Sequence, residues 1–494
     1  MNRQISRLAV FAVTLVIGLV VTTTYWQTWA APGLADRQDN AIERVAEFTI
    51  ERGRILAADG TVLARNRTKR VGGKTFYFRR YPQGRTFSHV VGYSTQGRSR
   101  AGLERSLNDY LTASNANLTT VLERTLDQIR GTTIQGNDVF LTLSTEGQRV
   151  AQNALGTLCG AVAALDPQTG KVLVLASSPS YDPNLIEERF AQAQRAPNAA
   201  CTQPAAPLLN RAVNGLYTPG STFKVVTAAA ALDQGKFFLS STFDDPGYCT
   251  EYGKRVFNYS DQGTPSGYGR VTLLQAIESS INSVFCNIGI EIGAGAILEY
   301  ARRFGFYSKP PLELPAEERL ASGLYKGGRP WFPEDMNDID PGRLAFGQER
   351  LQVTPLQMAM VAGAIANDGI LVRPQLVERV VSPQGRIVTT PATDELGRPI
   401  SRQAADAITQ GMIAAVRGGT STAAQIVGIE VAGKTGTAEI GRDVNTTSFI
   451  AFAPAENPRV AIAVFLEEQD GVGGTTAAPI AKLVMEALLR DAGA

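Results

Sequence analysis

The sequence predicts an α+β fold: an antiparallel sheet with a helical subdomain, preceded by a transmembrane helix and a small extended α+β region. Three observations carry that expectation. The compact part opens with strand-like Val139 to Leu143, helix-like Thr145 to Leu158 and apolar Ala161 to Leu165, then turns at Pro167-Gln168-Thr169-Gly170 into strand-like Val172 to Ala176. The tail carries two apolar runs, Ser448 to Pro454 and Val460 to Leu466, and a helical pattern from Thr475 to Arg490. Between these strand groups the middle of the chain is mostly helical, and strands grouped at the ends around helices give an α+β arrangement.

The elements follow in order. Arg3 and Arg7 precede an uncharged stretch from Leu8 to Ala35 whose apolar heart runs from Leu8 to Val21. With Thr22 to Thr24 included it reaches the roughly 20 residues that cross a bilayer. Tyr25, Trp26 and Trp29 suit the far water–lipid boundary, and the arginines suit a cytoplasmic face. A cleavable signal peptide is the competing reading, but Trp29 interrupts a small-x-small site before Pro32. The expectation is a single-pass anchor over residues 1–35 in the cell membrane, with everything beyond it outside the cytoplasm. Residues 36–137 are polar and arginine-rich, with strand-like Thr75 to Phe78 and with Gly102-Leu103-Glu104 leading a helical pattern to Leu111. Residues 138–494 form the main domain, in which the Pro- and charge-rich interval from Lys309 to Pro341 is an inserted loop system.

Composition narrows the function. The 494 residues suggest about three units at roughly 150 per domain. With 44% hydrophobic and 19% charged residues the chain is ordinarily globular. Its 48 Lys+Arg against 46 Asp+Glu leave a net charge of +2, and no long basic run appears, so nucleic acid is set aside. A single histidine, His89, excludes a multi-histidine metal site and leaves a Ser-His-Asp triad only if that residue serves. A hydrolase or acyl transferase built on this chain needs another base.

Three constellations supply one. In Tyr217-Thr218-Pro219-Gly220-Ser221-Thr222-Phe223-Lys224 the Pro-Gly turn precedes an Ala/Val-rich helix that ends at Gly235. Ser221 is expected at the helix N-terminus with Lys224 on the same face at i+3. A lysine pressed into an apolar face loses proton affinity and can act as base, giving a nucleophile–base pair without histidine. Alone, the pattern also fits an ordinary serine cap and a solvent-facing lysine. Helix-like Val271 to Ser279 is followed by Ser280-Ile281-Asn282, where a hydroxyl and an amide at a helix junction can face one cleft; a pair of helix caps is the plainer alternative. Strand-like Ile426 to Ala432 leads into Lys434-Thr435-Gly436-Thr437. On a strand Lys434 and Gly436 share one face, Thr435 and Thr437 the other. Gly436 would let a substrate backbone approach and the threonines would bind a carboxylate, unless the tetrad is merely a turn after a strand.

In the order S-x-x-K, S-x-N, K-T-G these motifs resemble the signature of penicillin-recognising serine enzymes. Ala164 to Asn184, Leu209-Asn210-Arg211-Ala212 and Phe346 to Gly369 resemble the transpeptidase domain of class B penicillin-binding proteins. Arg52-Gly53-Arg54-Ile55 through Leu63-Ala64, with Gly102-Leu103-Glu104, resembles their non-catalytic pedestal or dimerisation-like region. The whole chain is most similar to the actinobacterial penicillin-binding protein A group. It departs from the pattern at Ala58-Asp59-Gly60, where class B members usually carry an Asp-Arg pair.

The resemblance implies a penicillin-binding transpeptidase fold and a serine-type D-Ala-D-Ala transpeptidase that needs no cofactor or metal. Ser221 would attack the penultimate D-alanine carbonyl of a peptidoglycan stem peptide, and Lys224 would take its proton. Ser280 would pass a proton to the leaving amine, Asn282 would hold the stem amide, and Lys434 would supply positive potential. Thr435 and Thr437 would bind the terminal carboxylate, with the Ser221 and Thr437 N–H groups as oxyanion hole. β-Lactams would be trapped on the same serine. Residues 36–137 are too few for a glycosyltransferase domain, so a membrane glycan polymerase of the SEDS type is the expected partner. The rivals are a D,D-carboxypeptidase or β-lactam-hydrolysing enzyme, and a non-catalytic cell-wall scaffold or β-lactam sensor.

Cys159, Cys201, Cys249 and Cys286 contain no C-x-x-C pair, which argues against zinc and a thioredoxin-like motif. Buried reduced thiols are one reading. Outside the cytoplasm oxidation is available, and a Cys249–Cys286 disulfide is expected, since Cys286 lies four residues after Asn282 and Cys249 lies in a Gly/Tyr-rich loop upstream. Cys159–Cys201 is its complement among three possible pairings.

Overall fold

The computed structural model describes residues 2–25, 47–114, 134–203, 205–251, 253–258, 267–439 and 444–491. Trp26, Trp29 and Pro32 lie outside the described residues. Asn2–Tyr25 is one unbroken helix of 24 residues. At 1.5 Å per residue it is about 36 Å long, enough for the roughly 30 Å hydrocarbon core. Its threonines fit an apolar helix because Thr14, Thr22 and Thr23 each donate their hydroxyl to the carbonyl four residues back. The stretch Arg7–Tyr25 is long and apolar enough to cross a membrane, and none of it is buried against the protein.

The larger-domain sheet has five strands in the order Ala432–Glu439, Asn445–Ala453, Val460–Gln469, Gly160–Leu165, Val172–Ser178, every neighbouring pair antiparallel. Gly160–Leu165 and the run from Val460 to Leu466 are continuously apolar because both faces of the sheet are covered. Val162, Ala164, Phe449, Ala451, Ile462 and Val464 pack with Val484 and Leu488 of the C-terminal helix Ala477–Asp491 and with Ala151 and Leu155 of the helix Thr145–Leu155. The alternate residues Ala161, Ala163, Ile450, Phe452, Ala463 and Phe465 face the central helix Pro355–Ala366, whose Met358 and Val361 lie in the same cluster. The helix expected to run to Leu158 stops at Leu155, where Gly156 takes φ +52°.

A second, six-stranded sheet runs Ile387–Thr389, Val377–Val381, Asp138–Leu141, Ile55–Leu56, Val62–Val71, Lys74–Arg80. One pair, Ile55–Leu56 with Asp138–Leu141, is parallel. Strands from both sides of residue 138 thus share a sheet, and Ile55, Leu63, Val90 and Leu103 join the cluster that holds the central helix. The Arg-Gly and Gly-Leu-Glu motifs meet here: Glu104, wholly buried, takes Arg52 at 2.9 Å and Arg79 at 2.6 Å.

Both expected disulfides are present, Cys249–Cys286 with Cα atoms 6.4 Å apart and Cys159–Cys201 at 5.9 Å.

Candidate active site

Ser221 sits in a 3₁₀ turn, Gly220–Phe223, and the helix Lys224–Asp233 begins only after it. The sequence placed Ser221 at the helix start. The turn is tighter because it is clamped from two sides: Gly220 N–H donates to the Gly347 carbonyl at 3.0 Å, and Ser448 donates its hydroxyl to the Pro219 carbonyl at 3.2 Å. Thr222 also donates to that carbonyl, at 2.8 Å. Ser221 is left half-buried with its hydroxyl bonded to no described residue. Lys224 follows one turn later, 1% exposed.

Ser280 lies between the helices Leu273–Glu278 and Asn282–Ile292 with φ +58°, a strained value for a residue with a Cβ. That kink turns its carbonyl, its hydroxyl and the Asn282 amide toward one point. Lys224 Nζ donates to the Ser280 carbonyl and to Asn282 Oδ1, both at 2.7 Å, and lies 3.3 Å from Ser280 Oγ. The helix expected from Val271 begins at Leu273 instead. Val271 and Thr272 pair as strand with Phe243 and Thr242, and Thr272 and Gln275 form a capping box.

The tetrad Lys434-Thr435-Gly436-Thr437 occupies the middle of the edge strand Ala432–Glu439. The strand expected at Ile426 is a tight turn closed by an Ile426–Ile429 bridge. Lys434 is wholly buried and reaches across to donate to Ser280 Oγ at 2.7 Å and to the Thr435 carbonyl at 3.2 Å. Thr435 donates to Thr420 at 2.9 Å, and Thr437 Oγ1 accepts from Gly473 N–H at 3.2 Å. Gly436 has a reason other than a substrate's approach. A Cβ there would lie 2.5 Å from the Pro219 carbonyl oxygen and 2.3 Å from Ser448 Oγ. Glycine lets the edge strand press against the Ser221 turn, which brings Gly220 beside Thr437.

Burial, and secondarily the charge of Lys434, holds Lys224 well below the usual lysine range. Burial alone lowers Lys434 to about 7. A neutral Lys224 has two N–H groups for its two carbonyl partners and a lone pair left over. That is the electronic state of a base.

Of the eight residues singled out from the sequence, Lys224, Ser280, Asn282 and Lys434 meet through hydrogen bonds, and Thr435, Gly436 and Thr437 follow Lys434 on a strand that packs against the turn carrying Ser221. His89 is not among them: its Nε2 meets the Pro207 carbonyl at 2.9 Å in a buried pocket, where burial lowers it to about 4. Sequence reading missed the support behind Asn282. Asn282 Nδ2 donates to the Phe257 carbonyl at 3.0 Å, which fixes which end of the amide faces Lys224. Next to it Asp245, 3% exposed, accepts from Ser283 Oγ, Asn258 Nδ2, and the Gly247 and Tyr268 N–H groups. Only its Asp-Pro-Gly turn chemistry could have drawn attention to it.

The chain is similar to known proteins along nearly its whole length. Residues 160–486 match the penicillin binding protein transpeptidase domain, and residues 52–139 match the penicillin binding protein A dimerisation domain. It is 35% identical over 510 residues to peptidoglycan D,D-transpeptidase PbpA of Mycolicibacterium smegmatis, covering 99% of this chain and 100% of that one. Against the Mycobacterium tuberculosis protein of the same name the identity is 34%, covering 99% of each. The ceftriaxone acyl-enzyme structure of penicillin-binding protein A from M. tuberculosis superposes with a TM-score of 0.80 at 33% identity, over 90% of this chain and 100% of that one. Its penicillin G acyl-enzyme gives 0.77 at 34%, over 89% and 100%.

Proposed function

This chain belongs to the class B penicillin-binding proteins, and on that footing we propose that it is a peptidoglycan D,D-transpeptidase working through an acyl-enzyme on Ser221. The observation that carries the reading is the meeting of two buried lysines on one hydroxyl, Ser280 Oγ, beside the turn that presents Ser221. Ser221 Oγ attacks the penultimate D-alanine carbonyl of a stem peptide, and its proton passes to the neutral amine of Lys224. The N–H groups of Ser221 and Thr437 receive the oxyanion, an arrangement typically worth about 3–4 kcal/mol. Ser280 hands a proton to the departing nitrogen as the C–N bond breaks and terminal D-alanine leaves, and takes in its place the proton held by Lys224, whose Nζ lies 3.3 Å from Ser280 Oγ, so that Lys224 is neutral again. Asn282 holds the stem amide, while Thr435, Thr437 and the charge of Lys434 hold the terminal carboxylate. An amine from a second stem then attacks the ester and gives up its proton to Lys224, which passes it to Ser221 Oγ as the ester C–O bond breaks, regenerating both residues. In a β-lactam the broken C–N bond leaves the amine tethered to the acyl group, so the enzyme stays acylated.

The helix Asn2–Tyr25 is then the membrane anchor, with a short cytoplasmic N-terminus and the catalytic domain outside. The two disulfides support that side, since a reducing cytosol would keep these thiols apart. We divide the chain into the anchor at 1–35, a non-catalytic region at 36–137 and the transpeptidase domain at 138–494. Glycan strands come from a membrane polymerase of the SEDS type, a reading supported by a dimerisation-domain match where a glycosyltransferase would stand.

The test is to incubate the chain with a stem-peptide donor and an amine acceptor. Cross-linked product is the expected result. Free D-alanine alone would make it a carboxypeptidase, and no turnover would leave a scaffold or sensor.

A further inference from the structure

Between Gly60 and Leu103 the sequence contains no Asp or Glu. Its cations are interspersed with other residues, so they form no run, but strand pairing collects them. Val62–Val71 and Lys74–Arg80 make a hairpin joined by Gly72 and Gly73, both at positive φ. Residues directly opposite in an antiparallel pair share a face. The register Arg65–Arg80, Arg67–Phe78, Lys69–Phe76 and Val71–Lys74 therefore puts Arg65, Arg67, Lys69, Lys74 and Arg80 on one face. The other face carries Arg79, spent on buried Glu104, and exposed Arg70 near the tip. All five cations of the first face are exposed, and among the described residues none has a carboxylate partner. Arg65 directly opposite Arg80 is a like-charge pair, unfavourable unless an anion is brought from outside. The strand Ile55–Leu56 meets the hairpin only at its base, at Val62 and Ala64, so the charged part projects past the sheet.

We propose that this hairpin docks on the anionic phospholipid headgroups of the membrane that holds the N-terminal helix; the proposal rests on the anchoring reading above. Three features favour a lipid surface over a protein or a glycan. The chain arriving from the anchor enters the fold at the hairpin itself: the Phe48 carbonyl accepts from Tyr77 N–H at 2.7 Å, and the rings of Phe48 and Phe78 lie 5.6 Å apart. The connection from Tyr25 to Glu47 cannot stretch beyond about 75 Å, which tethers the hairpin to the bilayer's vicinity. The tip is amphipathic, with Val71 53% exposed between Arg70 and Lys74 and with half-buried Phe76 and Phe78 behind it, the chemistry of a headgroup boundary.

The experiment uses the full chain in lipid nanodiscs of phosphatidylcholine alone or with added phosphatidylglycerol. An amine-acylating reagent reports on Lys69 and Lys74, with exposed Lys236 as internal control. Added phosphatidylglycerol should slow labelling at both hairpin lysines by about five-fold or more, the gain from a single cation at an anionic surface. Lys236 should not change. Salt near 1 M, where the Debye length is about 3 Å, should restore the rate. The variant Arg65→Gln/Arg67→Gln/Arg70→Gln/Arg80→Gln should lose the protection yet keep full labelling by fluorescent penicillin. Equal rates in the two lipids, or protection that appears only when glycan strands are added, would overturn the proposal. A chain that does not co-elute with either disc defeats the anchoring reading itself, and the docking with it.

Discussion

Lys224 and Lys434 point their nitrogens at the same hydroxyl oxygen, Ser280 Oγ, from 3.3 and 2.7 Å, with no more than 1% of either side chain exposed. Both are depressed, Lys224 well below the lysine range and Lys434 to about 7. A lysine is neutral above its pKa, so the two titrations limit activity from opposite sides. Lys224 becomes a competent base as pH rises through its low value, and Lys434 loses its positive charge as pH rises through about 7. The second-order rate of acylation by penicillin should therefore rise and then fall with pH. Lys434→Arg, which stays protonated, should lower the plateau and abolish the alkaline fall. Stopped-flow acylation across pH checks this, and an alkaline limb unchanged in the variant would remove Lys434 from it.

Ser221→Ala should abolish covalent labelling by fluorescent penicillin while leaving the melting temperature nearly unchanged. The hydroxyl is half-buried and bonded to no described residue, so its loss leaves nothing unpaired. Lys224→Arg should be almost as damaging, because a guanidinium cannot accept the serine proton. Gel fluorescence and thermal denaturation on the same samples decide it; labelling retained at another serine would displace Ser221 as nucleophile.

Much of this was legible in the sequence, and the misses share one cause. The five-stranded sheet announced itself because runs such as Val460 to Leu466 are apolar on both faces, and Gly235 marked the end of the nucleophile helix with φ +69°. The serine, the lysines and the threonines stood out as candidates because the chemistry proposed for them restricts residue type. What was not legible depends on segments distant in the chain. The 3₁₀ turn at Ser221 is imposed by Gly347 and Ser448, and the strand at Val271 by Phe243. Gly436 invited a substrate reading, since nothing local reveals the Pro219 carbonyl above it. Asp245 was invisible for the same reason: its partner Ser283 is 38 residues away.

The Cys249–Cys286 bond and Asp245 hold the same corner of the cleft. Cys286 lies one helical turn beyond Asn282, and Asp245 grips Ser283 next to it. With a sequence separation of 37, the disulfide should restrain the unfolded chain by about 4 kcal/mol. Cys249→Ala/Cys286→Ala should lower the melting temperature accordingly. Asp245→Ala takes the acceptor from four donors, so it should lower the melting temperature and also slow acylation, since a displacement of about 1 Å at Asn282 can cost a hundred-fold. Acylation rates and melting temperatures measured on both variants separate the two effects; an Asp245→Ala protein acylated at the parent rate would mean that Asn282 is held without it.

The ion cluster in the N-terminal region makes the strongest prediction about stability. Glu104 is wholly buried and binds Arg52 and Arg79, which also donate to Asn108 Oδ1 at 2.7 Å and Asn66 Oδ1 at 3.1 Å. Burial pushes the Glu104 carboxyl up, Arg79 and Arg52 pull it down, and the arginines prevail, so it ends below its ordinary 4.5. A carboxylate lowered on folding contributes stability that is present above 4.5 and is lost as pH falls through the folded value. Among the described residues Arg52 Nε and Arg79 Nη2 are already buried without partners, so the cluster there has no spare acceptor. Glu104→Gln at neutral pH leaves two buried guanidinium groups without their anion and should cost about 3–5 kcal/mol. The gap between parent and variant should begin to close as the pH drops below 4.5 and finish only below the lower folded value, where the parent loses the same charge. Replacing all three residues with apolar ones of similar size should recover most of the loss, because the burial penalty disappears with the charges. Thermal denaturation of the three proteins across acid pH measures each term, and a Glu104→Gln deficit that stays constant through that range would mean that the carboxylate's charge is not what holds this region together.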